Sequence, residues 1–379
     1  MEKLTIKVPY EGRTFVRKNS DGFCIQMEGI DVLDYQKGLI SKSYEEVLFF
    51  VFYNQFPSAD DLVFCKMKIG EGFEEGMNIV SGTKLHAELS PMLLFQALVL
   101  QLRTDKHTDP FVIVGIIFAF VISIINKRLH NSTEMIFDTS DGFIQNFQKL
   151  IKFPEDALFE KMMIACMDAG NTPSAAAFVF NRSLETTMAS SLSAAIGAMS
   201  GLKHTSARIQ ILKNLLILKS ILLKYKVDCC NISSMRKYAN VIRDFFQNEL
   251  KKGNLLYGFG HYFFKGPEPF IDPRISLVQK AIEAQKCSPD LLNILNLCKE
   301  ICGKGLLHKK GRSEKIYLPV NSDGYWSIYL YNNFRRLTTI ENFLELVPLV
   351  TALSRATGLI SYGLMNQKGS PVITKEASC

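Results

Sequence analysis

The sequence has no P-loop, no Rossmann glycine fingerprint and no Gly-x-Ser-x-Gly elbow, so nothing in it points to a P-loop nucleotidase, a dinucleotide-binding oxidoreductase or an elbow-type serine hydrolase. It also lacks any long run of Lys and Arg. The net charge of +7 is a spread of 44 basic against 37 acidic residues. A nucleic-acid protein usually carries a concentrated basic face on a recognisable module, so this balance suits anionic small molecules and excludes nucleic acid as the expected partner. Internal repeats and low-complexity segments are absent. The opening MEKLTIKVPYEGR lacks the charged-then-apolar pattern of a signal peptide, and the expected compartment is the cytoplasm. The nine cysteines are odd in number and irregular in spacing, and Cys229 and Cys230 are adjacent, which argues against a disulfide framework. Cys298 and Cys302 lie one helical turn apart, but no second Cys or His pair stands at zinc spacing, so no metal is expected.

Apolar material is plentiful: 47% of the 379 residues are hydrophobic and 27 are Phe, enough for a substantial core. TIKV, RTFV and FCIQM, punctuated by Gly12 and Gly22, predict a small antiparallel flap of short N-terminal β strands. Helices dominate after Asp31. Ser43 and Glu46 form a capping box before an apolar run that stops near Pro57, and Ser58 and Asp60 are placed to cap the next helix. Ser90-Pro91 opens another. Phe111 to Ile125 is an uncharged run of fifteen residues that ends at NKRLHN. A bilayer span needs about 20. The run therefore predicts a buried central helix, with no membrane involvement.

Four later stretches carry chemical possibilities. ASSLSAAIGAMSG, Ala189 to Gly201, has small residues on all sides, which suits either a core helix or a close contact between domains or subunits. GFGH, ending at His261, holds Gly258 and Gly260, which permit backbone strained for other residues and leave amides open to a ligand. KKGRSEKI, Lys309 to Ile316, reads as a solvated turn or a phosphate contact. Arg355 sits within an otherwise apolar final helix and needs either a structural or a substrate carboxylate.

Three proton-handling side chains stand out: His204 in SGLKHTSAR, His261 in YGFGHYFFK and Asp323 in LPVNSDGYW. They are far apart in sequence, so a joint role needs a fold that gathers them. Taken alone, the two histidines could also be satisfied core residues of a helical protein.

Together these stretches resemble the citrate synthase family over nearly the whole chain. YEEVLFFVFYNQFPSADDL is similar to the family's SFEEVAYLLLYGELP, and SAAIGAMSGLKHTSA to SAIGALKGPLHGGA, which makes His204 the counterpart of its first catalytic histidine. GFGHYFFKGPEPFIDPR is similar to GFGHRVYKNYDPR, placing His261, Lys265 and Arg274 on the second histidine, the lysine and the arginine. VNSDGYW is similar to PNVDFYS, so Asn321 and Asp323 keep the Asn-x-Asp, and ALSRATG is similar to ALSRTPGW, which makes Arg355 a substrate-carboxylate arginine. The resemblance implies an all-α fold with a large domain (residues 1–207 and 319–379, the latter including a C-terminal arm) and a small domain (208–318) that closes over the substrates. It implies a homodimer with the small-residue helix at the contact. It also implies an acyltransferase with no permanent cofactor, which uses a coenzyme A thioester, acetyl-CoA by expectation, as co-substrate and condenses it with a 2-oxo acid such as oxaloacetate. Asp323 would remove the proton from the acyl carbon, His204 would stabilise the enol oxygen and His261 would serve the keto oxygen. Arg274 and Arg355 would clamp carboxylates, while Leu256, Gly258, Gly260 and Lys265 would hold CoA.

The chain departs from the family pattern at several substrate-recognition positions. A family segment DHELNAST corresponds to CMDAGNTPSAAAF, where Asp168 or Ala169 takes the place of a histidine near Asn171. An anionic Asp168 would repel a dicarboxylate. KHTSAR replaces LHGGAN, putting Thr205 and Ser206 where two glycines stand. Lys375 takes the place of a tail arginine and keeps charge without bidentate geometry. GPEPF, Gly266 to Phe270, lengthens the loop before Asp272. The acid-base trio is retained, so the expectation is a condensing enzyme whose oxo acid need not be oxaloacetate. The alternative is a protein with this fold and a CoA pocket but no synthase activity.

Overall fold

The computed structural model describes residues 3–7, 14–19, 22–86, 88–104, 108–129, 135–167, 170, 172–260, 272–285, 289–307, 315–364 and 372–376. Fifteen α-helices run through them, and the strands are short and peripheral, as an all-α fold of the expected kind requires. The helix starts follow local chemistry. Ser43 caps Tyr44–Tyr53 and Ser58 caps Ala59–Ser81, each in a reciprocal capping box, with Glu46 and Asp61 as the returning carboxylates. In the second box it is Asp61, not Asp60, that reaches back, because only the third helical position faces the cap. Ser90 caps Pro91–Val99 with proline at the first turn.

The strands correct one expectation. Thr14–Asn19, Gly22–Met27 and Ile30–Asp31 form a three-stranded sheet, but Lys3–Lys7 leaves the flap and pairs antiparallel with Val372–Glu376 at the other end of the chain. Strand pairing rewards any complementary edge, and a partner so distant leaves no local signal.

Packing divides the chain into two compact units: Met1–Phe15, Ile25–Thr205 and Pro348–Cys379 in one, Val16–Cys24 and Ser206–Val347 in the other. Ser322–Phe334 packs on Ala207–Lys224, Ile275–Gln285 and Pro289–Gly303 and groups with them in the second unit.

The core of the first unit is the crossing of Ala59–Ser81 with Pro110–Leu129. A Cβ on Gly72 would lie 2.1 Å from the carbonyl oxygen of Val112, and one on Gly115 would lie 2.1 Å from that of Ile69, so the two backbones touch through these glycines. Pro110–Leu129 and Ile340–Leu364 are each long and apolar enough to cross a membrane, but 89% of each apolar window is buried inside the chain. The central run is thus a core helix, as its length and charged end suggested. Met188–Met199, the small-residue helix, packs on Pro91–Val99 and Pro173–Ser183. Gln96 Nε2 donates to the Ser193 carbonyl at 3.1 Å, and a Cβ at Gly197 would come within 2.8 Å of the same amide. Small residues on this helix therefore serve close packing within the chain.

Candidate active site

In the second unit, the Gly-x-Gly stretch and the Asn-x-Asp stretch are built into one another. Phe259 bridges antiparallel to Val320, Gly260 N–H donates to the Pro319 carbonyl at 2.7 Å, and Asn321 N–H donates to the Gly258 carbonyl at 2.9 Å. Gly258 and Gly260 have φ of +87° and +68°, the left-handed region that only glycine enters cheaply. Leu256 and Gly258 are buried, and Gly260 is exposed. Asn321 caps the helix Ser322–Phe334, its Oδ1 accepting Asp323 N–H at 3.1 Å. The Asn-x-Asp pattern is thus a helix start that places Asp323 in the first turn, at the positive end of the helix, where a carboxylate is favoured.

Asp323 is paired with Arg208. Arg208 Nε donates to Asp323 Oδ1 at 2.8 Å, with the arginine side chain only 7% exposed and the aspartate 19%. The guanidinium carbon lies 5.6 Å from the centre of the buried Trp326 ring, a cation–π arrangement. Ser327 Oγ donates to the carbonyls of both Arg208 and Asp323, at 3.2 and 2.8 Å, and ties the two segments together.

Arg274, expected on an oxo-acid carboxylate, is engaged by the chain itself. Its Nε and Nη2 donate to the two oxygens of Asp272 at 3.0 and 2.9 Å, a bidentate pair. Asp272 also accepts the Ser322 amide at 3.0 Å and is 1% exposed. Burial pushes its carboxyl up, but the Arg274 charge and the hydrogen bonds from Arg274 and Ser322 outweigh it and hold the carboxyl below the usual aspartate range. Arg274 is therefore aligned with the start of the helix that carries Asp323.

In the first unit, His204 lies in the turn after Met188–Met199. Its N–H donates to the Gly201 carbonyl at 2.9 Å, and its Nε2 lies 3.0 Å from Ser174 Oγ. Ser174 is fully buried and 3.2 Å from Thr172 Oγ1. Thr205, which replaces a glycine of the family loop, turns its hydroxyl onto the Met199 carbonyl at 2.6 Å and is buried there. Its side chain closes the turn. Arg355, in the final helix, is buried with Nε donating to the Cys166 carbonyl at 2.9 Å. It is thus anchored at the end of the helix that leads into the Asp168 segment. Gly358 lets that approach happen, since a Cβ there would sit 2.2 Å from the Met167 carbonyl oxygen.

Asp168, Ala169, Asn171, His261, Lys265, the GPEPF loop and most of KKGRSEKI lie outside the described residues. Lys375 is in the strand Val372–Glu376, its backbone opposite Leu4. Cys298 and Cys302 are buried in Pro289–Gly303. Burial raises both thiols, that of Cys302 to about 12.

Three polar residues beside these positions were not singled out by the sequence patterns. Asp272 is the first residue of the Asp-Pro-Arg whose arginine carries the family resemblance. Ser174 falls on the threonine of DHELNAST when the segments are set in register on Asn171, so a hydroxyl was there to be noticed. Arg208 is the last residue of KHTSAR, where the family loop ends in asparagine, and charge in place of an amide was its signal.

The family model for "Citrate synthase, C-terminal domain" matches residues 14–371. Among solved structures, the citrate synthase of the thermophilic archaeon Thermoplasma acidophilum, in ternary complex with carboxymethyl coenzyme A and oxaloacetate, is similar with a TM-score of 0.69 at 17% identity, over 96% of this chain and 90% of that one. That of Thermotoga maritima gives a TM-score of 0.67 at 18% identity, over 93% of this chain and 89% of that one. The Pyrobaculum aerophilum enzyme gives 0.62 at 16% identity, over 95% and 92%. No curated protein sequence matches. Identities this low carry the fold alone, while the family match spans nearly all of the sequence, and on that ground the chain belongs to the citrate synthase family.

Proposed function

We propose that the chain condenses an acyl-CoA, acetyl-CoA in the first instance, with a 2-oxo acid of the oxaloacetate type. The steps are enolisation of the thioester, attack of the enol carbon on the keto carbon, and hydrolysis of the resulting acyl-CoA. Asp323 takes the proton from the acyl carbon, and His204 donates a hydrogen bond to the thioester oxygen as charge builds there. His261 does the same for the keto oxygen. Arg274, Arg355 and Lys375 attract the oxo-acid carboxylates, Asp168 and Asn171 are assigned to recognition of the same acid, and Leu256, Gly258, Gly260 and Lys265 cradle CoA. The working form in this reading is a homodimer.

The observation that supports it most is the joint construction of the Gly258–Gly260 turn and the Asn321-capped helix start, which ties the glycine turn by backbone hydrogen bonds to the segment that carries Asp323. The reading requires His204 and Asp323 to act on one substrate. It is tested by supplying acetyl-CoA with oxaloacetate and a panel of other 2-oxo acids and following thiol release. Release that needs both substrates and falls about 100-fold or more in Asp323→Asn is the expected result. No release with any pair, while CoA still binds, would sink it.

One observation favours a second reading, in which the chain binds CoA without condensing it: Arg208 already occupies an oxygen of the expected base. Arg208→Asn restores the residue of the family loop and separates the two. If Arg208 positions a working base, thiol release falls in the variant; if it silences one, release appears or rises.

A further inference from the structure

A cleft of about 410 Å³ opens in the second unit between Ala239–Lys252, the short helix Ile232–Arg236 and the C-terminal half of Pro289–Gly303. It is lined by none of the residues assigned to condensation. Its polar lining is three cations, Arg236, Arg243 and Lys304, against one carboxylate, Glu300. Arg236 Nη2 donates to Glu300 Oε1 at 2.7 Å, so that pair neutralises itself and leaves the positive excess with Arg243 and Lys304. Arg243 Nε is buried and meets no hydrogen-bond acceptor among the described residues. A desolvated guanidinium N–H without an acceptor is rare in folded proteins and calls for a partner. The remaining wall is apolar: Ala239, Leu297 and Ile301.

We propose that this cleft binds an organic phosphate. The phosphate would sit on Arg243 and Lys304, whose two charges match a phosphate dianion, and its carbon part would lie on Leu297, Ile301 and Ala239. The volume falls in the range of small-molecule sites, about 300–1,000 Å³, and exceeds what a bare phosphate fills. The assignment does not depend on the condensation reading, because the cleft contains none of its residues.

The test is calorimetric titration of the full chain with phenyl phosphate, inorganic phosphate and phenol, repeated with saturating CoA. Phenyl phosphate is expected to bind at one site, at least tenfold more tightly than inorganic phosphate, with phenol giving no heat. Arg243→Gln and Lys304→Gln should each weaken it at least tenfold, and CoA should leave it in place. No binding of phenyl phosphate, displacement by CoA, or unchanged affinity in either variant overturns the assignment. Lys304 is exposed, so Lys304→Gln still decides the matter if Arg243→Gln fails to fold.

Discussion

Arg208 Nε and Asp323 Oδ1 meet at 2.8 Å across 115 residues of sequence, with the arginine stacked on Trp326 and sealed from water. Removing one member of a buried ion pair strands the other in a place water reaches poorly. Arg208→Asn is expected to lower stability by about 3 kcal/mol in urea unfolding at neutral pH. The exposed pair Arg236 and Glu300 supplies the control, since Glu300→Gln should cost about 1 kcal/mol or less. Equal losses in the two variants would show that burial of the Arg208 pair counts for nothing.

Asp272 gives a pH dependence with a definite sign. Its carboxyl is held below the usual range in the folded chain, so its contribution is complete above the unfolded aspartate value of about 3.9 and disappears as pH falls through the lower folded value. Asp272→Asn should lose about 3 kcal/mol at pH 7, because Arg274 is left without its carboxylate. Urea midpoints of wild type and variant should converge as pH drops below about 4. A gap that stays constant down to about pH 3 would contradict the ion-pair account.

Ser174 orients the imidazole of His204 through the 3.0 Å contact at Nε2. Ser174→Ala should reduce thiol release about tenfold through kcat, with little change in KM for the acyl-CoA. Ser174→Thr keeps the hydroxyl and should recover most of the rate. If both variants behave alike, the contact is packing and nothing more.

Gly258 sits at φ +87° with Ile211 Cγ1 3.1 Å from where a Cβ would be. Gly258→Ala should cost about 1–2 kcal/mol of stability from the backbone alone. It should also weaken CoA binding by disturbing the turn shared with Asn321. A melting curve and a CoA titration unchanged from wild type would remove Gly258 from the proposed cradle.

Much of the local architecture was legible. Ser43, Ser58 and Ser90 announce helix starts because a cap needs only residues within one turn of itself. The glycines of GFG announce positive φ for the same local reason. Arg355 announces a structural or substrate carboxylate, whereas its Nε is accepted by the backbone carbonyl of Cys166, 189 residues away and unreadable from its neighbours. Arg208 and Asp323 pose the same difficulty. Neither segment names the other, and the ion pair exists only because two helices pack side by side. Arg208 and Ser174 reach Asp323 and His204 from 115 and 30 residues away, beyond any local pattern, whereas Asp272 stands two residues from Arg274 and is open to a local reading.

The ladder between Lys3–Lys7 and Val372–Glu376 joins two segments far apart in sequence into one two-stranded ribbon. Removing Lys3–Lys7 would therefore act at a distance: it would strip the only described strand neighbour from the segment that contains Lys375.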